Sequence, residues 1–205
     1  MSPRPQIDHI RRPQLLAAAA EVIAERGFAA TRIADVAERA GVSPSTLLYW
    51  FDSRDALLAE ALAHAERSFH DEMAVALERI DDPGLKLVTL IDCSIGGGDD
   101  DWALWMELWT LALHDFGMRG LRQRLDDLWR GQICEVIAEG QERGAFAGPD
   151  PERSALELAA LIDGLAVQVA LGDRLVSPEL MRSTCLEVAE RLLEVELPAS
   201  EEAAA

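Results

Sequence analysis

The sequence predicts an all-α protein of about nine helices. Apolar residues recur at three- and four-residue spacing through most of the 205-residue chain. No stretch keeps the two-residue alternation of a half-buried strand for more than a few residues. Glycine, proline and Ser/Asp pairs interrupt the pattern where helices would stop and start.

The first helix is expected over residues 13–26. Leu15, Leu16, Ala19, Val22 and Ile23 share one face, Gly27 stops the helix, and Phe28 turns back toward that face. The second, over 33–40, turns Ile33, Val36, Ala37 and Ala40 inward, with Thr31 as its expected N-cap and Asp35 near its positive end. Gly41 ends it. Ser43 is suited to cap a third helix whose first residue is Pro44, a position where no amide donor is lost. That helix is about seven residues long and cannot persist alone, so Leu47 and Phe51 must anchor it.

Asp52 or Ser53 caps a long fourth helix, apolar on one face to about residue 80. Residues 81–84, Asp-Asp-Pro-Gly, read as a turn, and the fifth helix runs to about Ser94. Residues 96–101, three glycines and three aspartates, form the most flexible internal stretch. The sixth helix follows to about Asp115 and the seventh covers 118–143 up to Gly144. The eighth covers 152–171 after Pro149 and Pro151, and the ninth covers 179–195 after Ser177-Pro178. A frayed tail is expected beyond Pro198. These elements divide into a small head, residues 1–53, and a larger helical body, 54–205.

Net charge is −18, which taken alone argues against a nucleic-acid partner. Its distribution changes that inference. Residues 1–60 hold seven arginines and eight acids, a net −1, and the remainder carries −17. Arg4, Arg11, Arg12 and Arg32 precede or open the glycine-turn unit, so an acidic body would leave one face able to dock on DNA. No apolar run reaches about 18 residues, so no membrane span is expected. The start, MSPRPQIDHIRR, lacks a signal-peptide core. Cys93, Cys134 and Cys185 are odd in number and far apart, which fits packed thiols in a reducing cytoplasm.

Two short helices around a glycine turn form a helix-turn-helix, in which the second helix enters the major groove. Short polar side chains at its start must reach base edges, and flanking donors must grip phosphates. Ser43, Ser45 and Thr46 are such polar groups; Tyr49, Arg54 and Arg12 are candidate phosphate contacts. Spacing alone fits equally well two packed helices with a glycine corner.

The stretch 12–58, centred on ADVAERAGVSPSTLLYWFDSRDALL, closely resembles the DNA-binding head of the TetR family of bacterial regulators. Ala37, Gly41, Val42-Ser43, Thr46-Leu47, Tyr49-Trp50-Phe51, Arg54 and Leu57-Leu58 carry the resemblance. It implies an all-helical homodimer on a palindromic operator, released by a small-molecule effector held in the body, and DNA contacts from Ser45, Thr46, Tyr49 and Arg54. Three positions depart from the pattern. Leu48 replaces the family's usual phosphate-touching tyrosine, leaving an apolar contact with a thymine methyl or sugar. Trp50 replaces His or Tyr and is either a groove-side anchor or a brace on the first helix. Arg32 replaces Thr or Ser and is a candidate phosphate contact.

On the sixth helix Trp102, Trp105, Met106 and Trp109 share a face, with Leu104, Leu108 and Leu111 on the other side. The functional reading is an aromatic-walled effector site, with Cys93, Phe116 and Trp129 as neighbours; the plainer one is buried core. The region 102–172 resembles the body of the choline-responsive BetI-like subgroup, through this Trp-rich helix and Asp163-Gly164-Leu165. Aromatic faces attract cations. Glu107 lies roughly 200° around the helix from Trp105 and Trp109, so Asp115, Asp163 or another helix would have to supply a carboxylate.

The eighth and ninth helices read as the dimer surface. Leu158, Ile162, Leu165 and Val169 stand on one, Met181, Cys185, Val188 and Leu192 on the other, and Gly164 admits a close backbone. The alternative is intrachain core. No catalytic motif, metal spacing or phosphate loop is found, so neither an enzyme nor a cofactor is expected; Glu66 and His70 read as a solvated pair. The expected function is a ligand-responsive DNA-binding regulator acting as a repressor. The alternative is a helical ligand-binding or adaptor protein whose head no longer binds DNA.

Overall fold

The computed structural model describes residues 5–96 and 99–199, with side chains described from residue 12 onward except at 96, 99–101, 103, 104 and 107. Arg4, the side chain of Arg11, Gly97, Gly98, the side chains of Leu104 and Glu107, and the tail from residue 200 lie outside the described residues. Among the described residues there are nine helices and no strand. They are α1 (Pro5–Arg26), α2 (Ile33–Arg39), α3 (Pro44–Trp50), α4 (Arg54–Glu78), α5 (Pro83–Gly96), α6 (Asp99–His114), α7 (Phe116–Glu142), α8 (Pro151–Ala170) and α9 (Pro178–Leu193).

Three local expectations change. Helix α1 begins at Pro5 and runs through Pro13. Thr31 does not cap α2. It is fully buried, and its hydroxyl donates to the Gly27 carbonyl at 2.8 Å, so Arg32 takes the cap position and its backbone N–H donates to Asp35 at 3.0 Å. Pro83 and Gly84 belong to the first turn of α5 instead of a free turn, because Asp82 accepts from the Leu85 N–H at 2.7 Å. The expected caps Ser43, Ser53 and Ser177 each accept a backbone N–H three residues on, and Asp150 accepts two at the start of α8.

The chain packs as two compact units. The first comprises Met1–Phe69 and Ala103–Leu125. Its core joins Leu15, Ala19, Val22 and Ile23 of α1 to Val36, Leu47, Phe51, Leu57, Leu58 and Leu62, with Leu108, Leu121 and Leu125.

The second unit comprises His70–Trp102 and Asp126–Ala205. Its core joins Met73 and Leu77 to Leu87, Leu90 and Ile91 of α5, Ile133 and Ile137 of α7, and the inner faces of α8 and α9. Helix α9 packs on both α5 and α8. Gly140 lets Phe146 fold back against α7, where a Cβ at 140 would lie 2.1 Å from the ring. Arg182 of α9 binds Asp92 of α5 through two hydrogen bonds, at 2.6 and 3.0 Å.

The residues expected on the dimer surface take part in the second unit's own core. Leu158, Ile162, Met181 and Cys185 are buried in the second unit's own core, and Leu165, Val169, Val188 and Leu192 pack partly against it. Periodicity finds the apolar stripe but not its partner, and here the stripes of α8 and α9 chiefly cover each other and α5. The three cysteines are free thiols, with Cys185 buried and Cys93 and Cys134 half-buried. No helix among the described residues is long and apolar enough to cross a membrane.

Candidate DNA interface and effector residues

The geometry of the head starts at Gly41. Its φ of +65° lets α2 end in a double closure: Val42 N–H donates to the Ala37 carbonyl at 2.9 Å and Gly41 N–H to Glu38 at 3.1 Å. The chain then enters α3 at Ser43. Leu47 and Phe51 are buried, which fixes the inner face of a helix too short to stand alone. The opposite face is left outward. Ser45 is exposed, Leu48 is 55% exposed and Tyr49 81%. Ser43 Oγ lies 2.8 Å from Ser45 Oγ and 2.9 Å from Thr46 Oγ1, so the capping hydroxyl also orients the two groups expected to read bases. Trp50 is half-buried against the head core and meets the Tyr49 ring edge-on at 5.8 Å.

The arginines are placed differently from the expectation. Arg54 turns inward: Nε donates to the Thr31 carbonyl at 2.7 Å, and the terminal nitrogens donate to Phe28, to Ala29 at 3.1 Å and to Asp55 at 2.6 Å. The loop between α1 and α2 leaves carbonyls without helical amides, and a planar guanidinium with five donors satisfies several at once. Arg12 likewise lies over the Phe51 ring, pairs with Glu60 at 2.5 Å and donates to the Trp50 carbonyl at 3.4 Å. Arg26 pairs with Asp35 at 2.7 Å. Arg39, which sequence reasoning passed over, binds Glu21 at 3.0 Å and Glu25 at 2.6 Å and holds the Glu25 carboxyl below the usual carboxylate range. Those partners are 14 and 18 residues away, so no short spacing could reveal them. Among the described arginines from 12 to 54, Arg32 alone is exposed with its guanidinium in no hydrogen bond or ion pair.

The effector candidates fall into both units. In the first, Trp105 and Trp109 face each other as a tilted pair, 6.5 Å between ring centroids at 53°, both partly exposed. Met106 beside them is half-buried. Phe116 does not join them as a buried neighbour. It is 87% exposed at the start of α7, beneath the Arg119 guanidinium at 5.1 Å, because the α6–α7 corner holds it at the surface. In the second unit Trp102 donates its indole N–H to the Ser94 carbonyl at 3.2 Å, a structural tie between α6 and α5. Trp129 is half-buried and tilted against His70 at 6.4 Å. The buried His70 has its own partner, since Nδ1 lies 2.7 Å from Gln132 Oε1, which replaces the solvated reading. Cys93 packs partly into this core, where burial first and Asp92 second raise its thiol pKa. Asp163 is half-buried and engaged. No group of three or more His, Cys, Asp or Glu able to hold a metal occurs among the described residues.

Comparison with known proteins accounts for this arrangement. The model of the tetR-family bacterial regulatory proteins matches residues 15–61, and that of the BetI-type transcriptional repressor C-terminal region matches 94–194. The chain is 28% identical over 198 residues to the HTH-type transcriptional regulator BetI 1 of Chromohalobacter salexigens, covering 93% of this chain and 94% of that one. Among solved structures, a transcriptional regulator from Saccharomonospora viridis in complex with choline superimposes with a TM-score of 0.79 at 33% identity, covering 91% of this chain and 98% of that one. A TetR-family regulator from Rhodococcus sp. gives 0.73 at 29%, covering 89% and 98%. A helix-turn-helix head and a helical body, each matched by its own model and both spanned by a 33%-identical regulator, leave one conclusion: the chain belongs to the TetR family of bacterial transcriptional regulators, with a BetI-type C-terminal region.

Proposed function

We propose that this regulator is a homodimeric repressor that leaves a palindromic operator when its body binds a small quaternary ammonium compound. The observation that carries the reading is the outward face of α3, where Ser45, Leu48 and Tyr49 stand exposed while Leu47 and Phe51 hold the helix from behind. Head (1–53) and body (54–205) are the functional division this implies. Ser45 and Thr46 read base edges, Leu48 meets a thymine methyl or sugar, and Tyr49 and Arg32 hold phosphates. Arg12 and Arg54 hold the head together.

The effector class is supported by the choline-bound relative and by the Trp105–Trp109 pair, whose partly exposed faces suit a cation that carries its charge inside methyl groups. Ligand shifts the protein away from DNA only by its differential affinity for the two states. Dimerisation uses the outward faces of α8 and α9: Leu156, Ala160 and Gly164 are exposed on one and Leu180 on the other. Two heads then meet successive major grooves about 34–36 Å apart.

The test is fluorescence anisotropy with the DNA flanking the protein's own coding region, at two salt concentrations, with and without choline. Specific binding that weakens with salt and with choline is expected. Absence of any enriched fragment at low salt would falsify the repressor reading and favour an adaptor whose head has lost DNA.

A further inference from the structure

The indole N–H of Trp109 is buried and meets no hydrogen-bond acceptor among the described residues. Trp102, on the same helix, places its N–H on the Ser94 carbonyl. The two tryptophans therefore differ in kind: one is tied into the fold, and the other keeps a donor buried beside ring surface that is partly exposed. A buried donor without an acceptor is destabilising relative to a paired one, and native structures keep few such groups. The ring of Trp109 belongs to the tilted pair with Trp105. Its face and its edge offer two chemistries at once: the face attracts a cation, and the N–H at the edge is a donor only.

Resting on the quaternary-ammonium reading above, we propose that Trp109 is a specificity residue that selects ligands carrying an oxygen acceptor a short arm away from the cationic head. The trimethylammonium group lies against the Trp105 face at the rim of Trp109, and the oxygen accepts from Trp109 Nε1–H. Choline carries its hydroxyl on a two-carbon arm next to the cation, so it offers both groups to the pair. A tetraalkylammonium of the same size offers the cation and leaves the N–H unpaired.

Isothermal titration of the full-length protein with choline and with ethyltrimethylammonium, which has the same charge and no oxygen, tests this. Wild type is expected to bind choline about tenfold more tightly, the size of one buried neutral hydrogen bond. Trp109→Phe, which keeps a ring face and removes the donor, is expected to bring the two ligands within about twofold. Trp105→Phe is expected to weaken both and keep the discrimination. Equal affinity of wild type for the two ligands, or full discrimination in a folded Trp109→Phe, overturns the role of Trp109 and leaves the ammonium reading standing. Failure of both ligands to bind wild type overturns the ammonium reading itself, and this one with it. A second measurement does not depend on the variant folding. In wild type with 15N-labelled indoles, the Trp109 N–H resonance should move downfield with choline and not with ethyltrimethylammonium; an unmoved resonance at saturating choline overturns the proposal.

Discussion

Arg54 Nε donates to the carbonyl oxygen of Thr31 at 2.7 Å, and the Thr31 hydroxyl donates in turn to the carbonyl of Gly27 at 2.8 Å. The first residue of α4 and the loop between α1 and α2 are thus tied by one side chain, which also reaches Phe28 and Ala29. Arg54→Ala is expected to destabilise the protein by about 2–3 kcal/mol, since charge-assisted bonds are lost and partly buried carbonyls are left unpaired. Arg54→Lys recovers only part, because a single ammonium cannot match a planar fork. Urea unfolding followed by helix circular dichroism measures both. Reduced DNA affinity with an unchanged unfolding midpoint would assign Arg54 to the DNA instead.

Tyr49 and Arg32 should separate cleanly from Arg54 in the same assays. Both are exposed, so Tyr49→Ala and Arg32→Ala are expected to leave the unfolding midpoint unchanged within about 0.5 kcal/mol. Tyr49→Ala should weaken operator binding by about 1–3 kcal/mol. Arg32→Ala should weaken binding to all DNA sequences similarly and lower the slope of log affinity against log salt by about 1. An unchanged slope would mean that Arg32 touches no phosphate.

What the sequence made legible follows from the range of the forces involved. Caps and turns are decided within four residues, and Ser43, Ser177 and Gly41 do what their types predict. The long apolar faces of α1 and α4 were equally readable. Long-range pairing was not. Arg12 and Glu60 are 48 residues apart, Arg182 and Asp92 are 90 apart, and an arginine's type is equally suited to a phosphate, a carboxylate or a bare carbonyl. The misplacement of Arg54 has this origin; that of Thr31 is local, since its hydroxyl donates to the Gly27 carbonyl four residues back instead of capping α2. The stripes of α8 and α9 show the same limit for apolar surface, since periodicity says that a face is buried and is silent about what buries it.

The proposed dimer contact on the outward face of α8 is open to a direct test. A Cβ at Gly164 would meet nothing within 4 Å, so the outward face of α8 has room for a side chain within one subunit. Gly164→Arg is expected to leave helix content intact and to shift sedimentation at micromolar concentration from dimer to monomer. Leu158→Ala, in the intrachain core, is expected instead to cost about 2–5 kcal/mol of folding stability. A dimeric Gly164→Arg protein would move the interface away from this face.

Cys185 supplies a prediction in pH. It is fully buried in the second unit, and burial raises its thiol from an ordinary 9.0 to about 11. The folded state holds this proton more tightly than the unfolded chain does. The contribution to stability is therefore fully present below pH 9 and is lost as pH rises through 11. At 1.36 kcal/mol for each unit, the loss approaches about 3 kcal/mol across that window. Burial raises Cys93 and Cys134 in the same direction, so they add to the slope. Cys185→Ala should be less stable at neutral pH, from the lost packing, and yet show a shallower decline between pH 9 and 11. Urea midpoints of both proteins across that range measure the difference, and parallel declines would show that Cys185 does not ionise within it.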